Sequence, residues 1–124
     1  MDITPLIPAD RQVIDGYGNG QFCIRSEWRP GPVIVFPDQT VTWDVTDFAG
    51  LSVESFAAVT AAEPRVEILL LGTGPKMRLL PGALRRDLRA AGIVVDVMDT
   101  GAACRTYNVL LAEARRVAAA LLPV

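Results

Sequence analysis

Polar side chains that could do chemistry are concentrated between Asp99 and Asn108, in the run DTGAACRTYN. Because alanine and leucine dominate the residues that follow, we expect this run to begin a helix. Backbone N–H groups at a helix N-terminus are unpaired and attract anions. The guanidinium of Arg105 could bind a carboxylate through two hydrogen bonds, or it could hold a loop or pair with Asp99. We therefore predict one wall of a ligand site from Thr100, Arg105, Thr106 and Asn108.

A glycine-containing turn, Gly72-Thr73-Gly74, follows a predicted buried strand over 66–71. Open α/β sheets bind ligands at the carboxyl ends of their strands, and a glycine there lets a ligand approach the backbone. The turn lacks the third glycine of a dinucleotide fingerprint, and it lacks the Gly-Lys-Ser/Thr ending of a P-loop. It is either the second wall of the predicted site or a tight turn that ends a strand. It should lie beside the Asp99-Thr100-Gly101 loop if the two strands are neighbours. Asp99 or Thr100 could also simply cap the helix.

Composition argues against most catalytic mechanisms. The 124 residues include no histidine, which removes the commonest general base and the commonest metal ligand. The nucleophilic candidates are Cys104, Thr100 and Thr106, although an inert, semi-buried thiol is the favoured interpretation of Cys104. The only other cysteine, Cys23, does not provide a metal-ligand spacing. We predict no catalytic residue, no metal and no cofactor, and we leave enzyme activity open.

Charge is unevenly distributed along the chain. The net charge is −2, but residues 1–62 carry three basic and eight acidic residues, whereas residues 63–124 carry nine and six. Arg78, Arg85, Arg86 and Arg89 surround a predicted helix and could bind an acidic protein surface or form a solvated face. The acidic pI argues against nucleic-acid binding. We find neither a signal peptide nor an apolar run near the ~20 residues that cross a bilayer, so a cytoplasmic location is expected.

Hydrophobic periodicity predicts an α/β protein of one domain over 1–124. Residues 1–11 should form an extended tail, and residues 12–24 a β-hairpin that turns at Gly18-Asn19-Gly20. Further strands are predicted at 33–36, 41–43, 66–71 and 93–98. Helices are predicted at about 52–61, between Pro81 and a stop at Gly92, and at 104–122. Because helices and strands alternate in the second half, we expect parallel strands joined by right-handed crossovers.

The predicted last helix has a clear apolar face on a helical wheel. Tyr107, Leu110, Val117 and Leu121 lie on that face, whereas Arg105 and Asn108 lie away from it. The two polar residues are therefore expected outside the core and beside the strand ends.

Four blocks in a fixed order resemble one family: Leu69–Gly74, Val97–Thr100, Arg105–Leu110 and Glu113–Arg115. The family is the Mth-like domain of unknown function, shared by mitochondrial NADH dehydrogenase (complex I) assembly factor three and the adipogenesis-associated Mth-like domain protein. Its bacterial branch consists of short single-domain proteins. Gly16-Tyr17-Gly18, Pro37 and Trp43 also fit, so the resemblance spans nearly the whole chain. One departure is Ala114, where glycine is expected; we treat it as unimportant because alanine suits a helix interior.

The resemblance implies three layers: a central mixed, largely parallel sheet with helices on both faces, plus an N-terminal β-hairpin or meander. It implies no settled enzymatic activity, and it implies protein partners in respiratory-complex assembly. We therefore predict a non-catalytic protein-binding or assembly-factor module, and leave the oligomeric state open. The alternative is a binder of a small anionic ligand, or an enzyme, that uses a pocket between Gly72–Gly74 and Thr100–Asn108.

Overall fold

The computed structural model describes residues 10–124, which hold eight strands and three α-helices. The helices are α1 (Ala57–Thr60), α2 (Gly82–Ala90) and α3 (Thr100–Ala112). Two 3₁₀ turns, Phe48–Gly50 and Val53–Phe56, precede α1. The strands are β1 (Ile14–Gly18), β2 (Gln21–Ile24), β3 (Glu27–Pro30), β4 (Val33–Val35), β5 (Thr40–Thr42), β6 (Ile68–Gly72), β7 (Val95–Met98) and β8 (Val117–Leu121). Most of the predicted tail over 1–11 lies outside the described residues.

Two sheets organise the strands. β1, β2 and β3 form an antiparallel sheet, and the central sheet has the order β5-β4-β8-β6-β7. In the central sheet β8, β6 and β7 run parallel, while β4 is antiparallel to both β8 and β5. The mixed sheet and the parallel neighbours β6 and β7 confirm the predicted fold class.

The N-terminal hairpin confirms its prediction, but the strand that follows it was missed. Asn19 and Gly20 both have positive φ angles, 53° and 75°, which is the type I′ geometry that joins twisted antiparallel strands. The next turn uses Arg25 and Ser26 at φ angles of 50° and 67°. Because these residues are not the glycine or asparagine that usually marks such a turn, the sequence gives no sign of the β2–β3 hairpin.

Buried side chains cover both faces of the central sheet, which produces three layers. On one face α2 and the segment around α1 contribute Phe56, Val59, Leu84 and Leu88. On the other face α3 and the first hairpin contribute Phe22, Ile24, Tyr107 and Leu111. Among residues 10–124, no helix is long and apolar enough to span a bilayer.

The predicted helix over 104–122 is wrong in its second half. α3 ends at Ala112, and Val117–Leu121 form β8, which is fully buried between β4 and β6. Alanine has the highest helix propensity, so the run VAAALL looks helical in isolation. Its position in the middle of the sheet overrides that propensity, and the wheel assignment of Val117 and Leu121 to a helix face fails with it.

The end of α3 also corrects our interpretation of Ala114. Its φ angle is 60°, in the left-handed region. Its N–H donates to the Leu111 carbonyl, and the N–H of Arg115 donates to the Leu110 carbonyl. This is a Schellman C-cap, in which the left-handed position favours glycine. Ala114 therefore lies just beyond the helix rather than inside it, and alanine there is strained.

Candidate functional site

The predicted loops do meet at the carboxyl ends of β6 and β7. Gly72 pairs with Met98 across the two strands, and the N–H of Thr73 donates to the Met98 carbonyl at 3.0 Å. Asp99 is the N-cap of α3, because its side chain accepts a hydrogen bond from the N–H of Ala102 at 2.9 Å. The capping interpretation of Asp99 is therefore confirmed.

Thr100 is fully buried and bonds to two neighbouring segments. Its hydroxyl accepts a hydrogen bond from the N–H of Gly74 at 2.8 Å and donates one to the carbonyl of Leu122 at 2.7 Å. Its own N–H donates to the Gly74 carbonyl at 2.9 Å. These bonds tie the start of α3 to the ends of β6 and β8.

Gly72 and Thr73 complete this junction. A Cβ atom at Gly72 would lie 3.0 Å from the Cα of Thr100 and 3.0 Å from a methyl carbon of Leu121, so glycine permits the close approach of α3. The Thr73 hydroxyl donates to the Lys76 carbonyl at 2.6 Å and accepts from the N–H of Arg78 at 3.1 Å. The polar groups of this turn therefore form hydrogen bonds within the protein. This arrangement favours the second interpretation of Gly72-Thr73-Gly74, a tight turn that ends a strand.

Arg105 and Asn108 lie on α3 but contact the first hairpin. The exposed guanidinium of Arg105 donates to the Tyr17 hydroxyl at 3.2 Å. Asn108 bonds to both backbone groups of Ile14: its Oδ1 accepts from the N–H at 3.0 Å, and its Nδ2 donates to the carbonyl at 2.8 Å. The amide thus pairs with the backbone of β1 as a neighbouring strand would. Neither residue belongs to the core of apolar side chains, as the wheel predicted.

Two further features bear on the predicted chemistry. Burial raises the pKa of the Cys104 thiol to about 12, and this effect outweighs the opposing charge of Arg105. The thiol is therefore protonated at neutral pH and poorly suited to act as a nucleophile. The half-buried Thr106, the third nucleophilic candidate, is on α3. Residues 10–124 contain no cluster of three potential metal ligands.

The seven predicted site residues thus divide into two groups. Gly72, Thr73, Gly74 and Thr100 form one bonded junction, whereas Arg105, Thr106 and Asn108 lie farther along α3. An anion site at Arg105 stays a prediction. The structure also contains a cavity at the amino ends of β6 and β8, which none of the seven residues lines. Sequence reasoning missed it because its walls come from four separate stretches of the chain and carry no local motif.

The structure is compatible with both interpretations of the basic residues near α2, a surface that binds an acidic protein and a solvated face. The guanidinium of Arg78 lies 4.6 Å above the ring of Phe48 in a cation–π contact. Arg85, Arg86 and Arg89 are exposed on α2, whose buried residues are Leu84 and Leu88.

Curated relatives carry one recurring name. The chain is 36% identical over 115 residues to NADH dehydrogenase [ubiquinone] 1 alpha subcomplex assembly factor 3 of Homo sapiens, and 39% identical over 111 residues to the protein of the same name from Danio rerio. These matches cover 93% and 90% of the chain, but only 62% and 64% of the two relatives. An uncharacterized protein of Rhodobacter capsulatus is 40% identical over 90% of the chain and 84% of its own length.

Solved structures share the fold. A protein from Bartonella henselae, described as an outer membrane protein, matches with a TM-score of 0.83 at 40% identity and covers 94% of this chain and 98% of its own. A Mth938-like domain from Bordetella pertussis matches with a TM-score of 0.77 at 29% identity, covering 99% and 90%. The sequence model described as "Protein of unknown function (DUF498/DUF598)" matches residues 14–122. The chain therefore belongs to the DUF498/DUF598 family.

Proposed function

We propose that this protein is a protein-binding module that acts in the assembly of a respiratory complex. The observation that carries the proposal is the match to complex I assembly factor 3, at 36% identity over 93% of the chain in the human protein. The match includes the elements that hold the fold together and supports a shared mode of action. The chain spans 62% of the length of that relative.

The internal bonding of the polar residues supports a binding role over a catalytic one. The hydroxyl groups of Thr73 and Thr100 and the amide of Asn108 are engaged with backbone groups. A general acid, base or nucleophile must instead reach a substrate atom. The side chains of Thr73, Thr100 and Asn108 are therefore held by hydrogen bonds within the fold, which favours a structural role for these three residues.

The surface that we assign to partner binding is the basic-apolar surface, defined as residues 76–89. Leu79 and Met77 are 80% and 52% exposed in its loop. The same range holds five basic residues and one acidic residue, in a protein whose net charge is −2. Exposed apolar side chains beside arginines are typical of protein interfaces. Charge complementarity predicts a partner with an acidic surface around an apolar centre.

Affinity purification of the tagged, full-length chain from the organism that encodes it tests the proposal. We expect subunits of the NADH dehydrogenase complex, or intermediates in its assembly, to co-purify in a salt-sensitive manner. The double variant Met77→Ser, Leu79→Ser should reduce their recovery several-fold. Val109→Ser is the matched control, because Val109 is 57% exposed on α3, outside the basic-apolar surface.

Two outcomes would contradict the proposal. Absence of NADH dehydrogenase subunits from the purified material would contradict the proposed role in the assembly of a respiratory complex. Equal recovery with the double variant and with Val109→Ser would remove residues 76–89 as the binding surface.

A further inference from the structure

A cavity of about 260 Å³ opens at the amino ends of β6 and β8, at the opposite end of these strands from the start of α3. The buried residues in its wall are apolar, namely Phe36, Leu111 and Val117, and the half-buried Val66 extends this apolar lining. An engineered apolar cavity of about 150 Å³ is enough to hold benzene. The cavity therefore has room for one aromatic ring or branched aliphatic side chain together with a small polar group.

Charged side chains line the same cavity, and they carry both signs. Arg11 is half-buried, whereas Asp38 and Glu63 are exposed, as are Arg115 and Arg116. The accessible part of the lining is therefore charged, and the buried part is apolar. This arrangement suits a ligand that places an apolar group inside the cavity and keeps its charged groups at the mouth.

The three arginines at the cavity differ in what they already contact. Arg115 forms an ion pair with Glu67 at 3.5 Å, and the Nε of Arg116 donates to the Arg65 carbonyl at 2.8 Å. Within residues 10–124, Arg11 forms no ion pair. Its planar guanidinium can donate two parallel hydrogen bonds to a carboxylate. Arg11 is therefore the cation at this cavity with the greatest capacity to bind an anionic group of a ligand.

The two carboxylates at the cavity favour a cationic group in the same ligand. Asp38 and Glu63 form no ion pair with any described residue, although three arginines share the cavity with them. The carboxyl end of α3, which reaches the cavity through Leu111 and Ala114, adds a partial negative charge. A simple anion or a simple cation would be attracted by one set of charges and repelled by the other, whereas a zwitterion can be attracted by both.

We propose that this cavity binds a free α-amino acid with an apolar side chain, such as phenylalanine or leucine. The side chain of the ligand packs against Phe36 and Leu111. Its carboxylate is bound by Arg11, and its ammonium group is bound by Asp38 and Glu63. This site is separate from the basic-apolar surface and does not depend on the proposed assembly role.

Titration of the full-length protein with L-phenylalanine and with L-leucine, followed by ¹H–¹⁵N NMR, tests the site. Amide shifts should occur at Val66 and Leu111 and be absent at Thr100. A ligand of this size should bind with a dissociation constant on the order of 1 mM or lower. Three analogues each lack one feature: phenylacetate lacks the ammonium group, phenethylamine lacks the carboxylate, and glycine lacks the apolar side chain. Each should bind at least several-fold more weakly than L-phenylalanine.

Two matched pairs of variants identify the groups that bind the ligand. Arg11→Gln should weaken L-phenylalanine binding several-fold, whereas Arg85→Gln removes an equivalent charge from the exposed surface of α2 and should have no effect. The double variant Asp38→Asn, Glu63→Gln should also weaken binding several-fold, whereas Asp87→Asn on α2 should not. None of these side chains is buried, and the NMR spectrum of each variant reports directly whether the fold is retained.

The proposal is overturned if neither amino acid, at several times the ~1 mM constant, shifts Val66 and Leu111. Equal affinity for L-phenylalanine and any of the three analogues would also overturn it, because the missing group would then contribute nothing to binding. Unchanged affinity in folded Arg11→Gln, or in the folded double variant, would contradict the assignment of the charged groups that hold the zwitterion.

Discussion

Thr100 and Gly74 are bonded to each other twice. The Thr100 N–H donates to the Gly74 carbonyl at 2.9 Å, and the Gly74 N–H donates to the Thr100 hydroxyl oxygen at 2.8 Å. The same hydroxyl then donates to Leu122 at 2.7 Å. One buried side chain thus joins the ends of β6 and β8 to the start of α3.

Thr100→Val should destabilise the protein by about 2–4 kcal/mol, because it leaves the Gly74 N–H and the Leu122 carbonyl buried without this partner. Thr100→Ser keeps the hydroxyl and should cost clearly less. Urea denaturation of the three proteins measures the difference. A loss below about 0.5 kcal/mol for the valine variant, the size of an ordinary surface change, would show that the junction contributes little.

Asn108→Asp should destabilise the protein by about 1–3 kcal/mol at neutral pH. The carboxylate can still accept from the Ile14 N–H, but it faces the Ile14 carbonyl, to which the amide now donates at 2.8 Å. Asn19→Asp is the matched control, since Asn19 is exposed in the β1–β2 turn and aspartate also tolerates the left-handed conformation. Thermal and chemical denaturation should show that Asn108→Asp is less stable than Asn19→Asp. Equal stabilities would contradict the role of Asn108 in holding β1 against α3.

Ala114→Gly should stabilise the protein by about 0.5–1 kcal/mol. Alanine pays a steric cost at a φ angle of 60° that glycine avoids, and the greater flexibility of glycine in the unfolded chain offsets part of the gain. Ala112→Gly provides the contrast: Ala112 is the last residue of α3, so glycine there should destabilise rather than stabilise the protein. In one denaturation series, we expect the free energy of unfolding to rise for Ala114→Gly and to fall for Ala112→Gly. A loss of stability at position 114 would contradict the C-cap assignment.

Cys104 should resist alkylation in the folded protein. Because its pKa is raised from 9.0 to about 12, the thiolate fraction at pH 8 falls about a thousandfold. In a Cys23→Ser background, iodoacetamide should modify Cys104 slowly until denaturant is added. Rapid modification under native conditions would contradict the burial of this thiol.

The raised pKa of the Cys104 thiol also predicts that the protein loses stability at alkaline pH. Between pH 9 and about 12 the folded protein keeps the Cys104 proton that the unfolded chain releases, so the free energy of unfolding falls as pH rises through this window. Cys104→Ala should flatten that part of the profile relative to the Cys23→Ser protein. An unchanged slope would assign the alkaline loss to other groups.

Several features followed from sequence because local chemistry decides them. Asn19-Gly20 permits the positive φ angles of a type I′ turn, and Asp99 accepts from an N–H of the helix that it caps. The position of Thr100 beside Gly74 followed from the rule that parallel strands end at one edge of a sheet. In the first two cases the deciding interactions lie within a few residues, and in the third the common direction of parallel strands decides.

Only the tertiary structure decided the secondary structure of Val117–Leu121 and the hydrogen-bond partners of the polar residues. Alanine favours helix locally, yet burial between β4 and β6 makes this run a strand, because its backbone groups pair on both sides. Likewise, Asn108 looks like a ligand contact until Ile14, 94 residues away in sequence, is seen to occupy both of its hydrogen-bonding groups. Partners so distant along the chain leave no local pattern, so only the folded structure shows which polar groups are already paired and that the Tyr107 hydroxyl, among residues 10–124, is not.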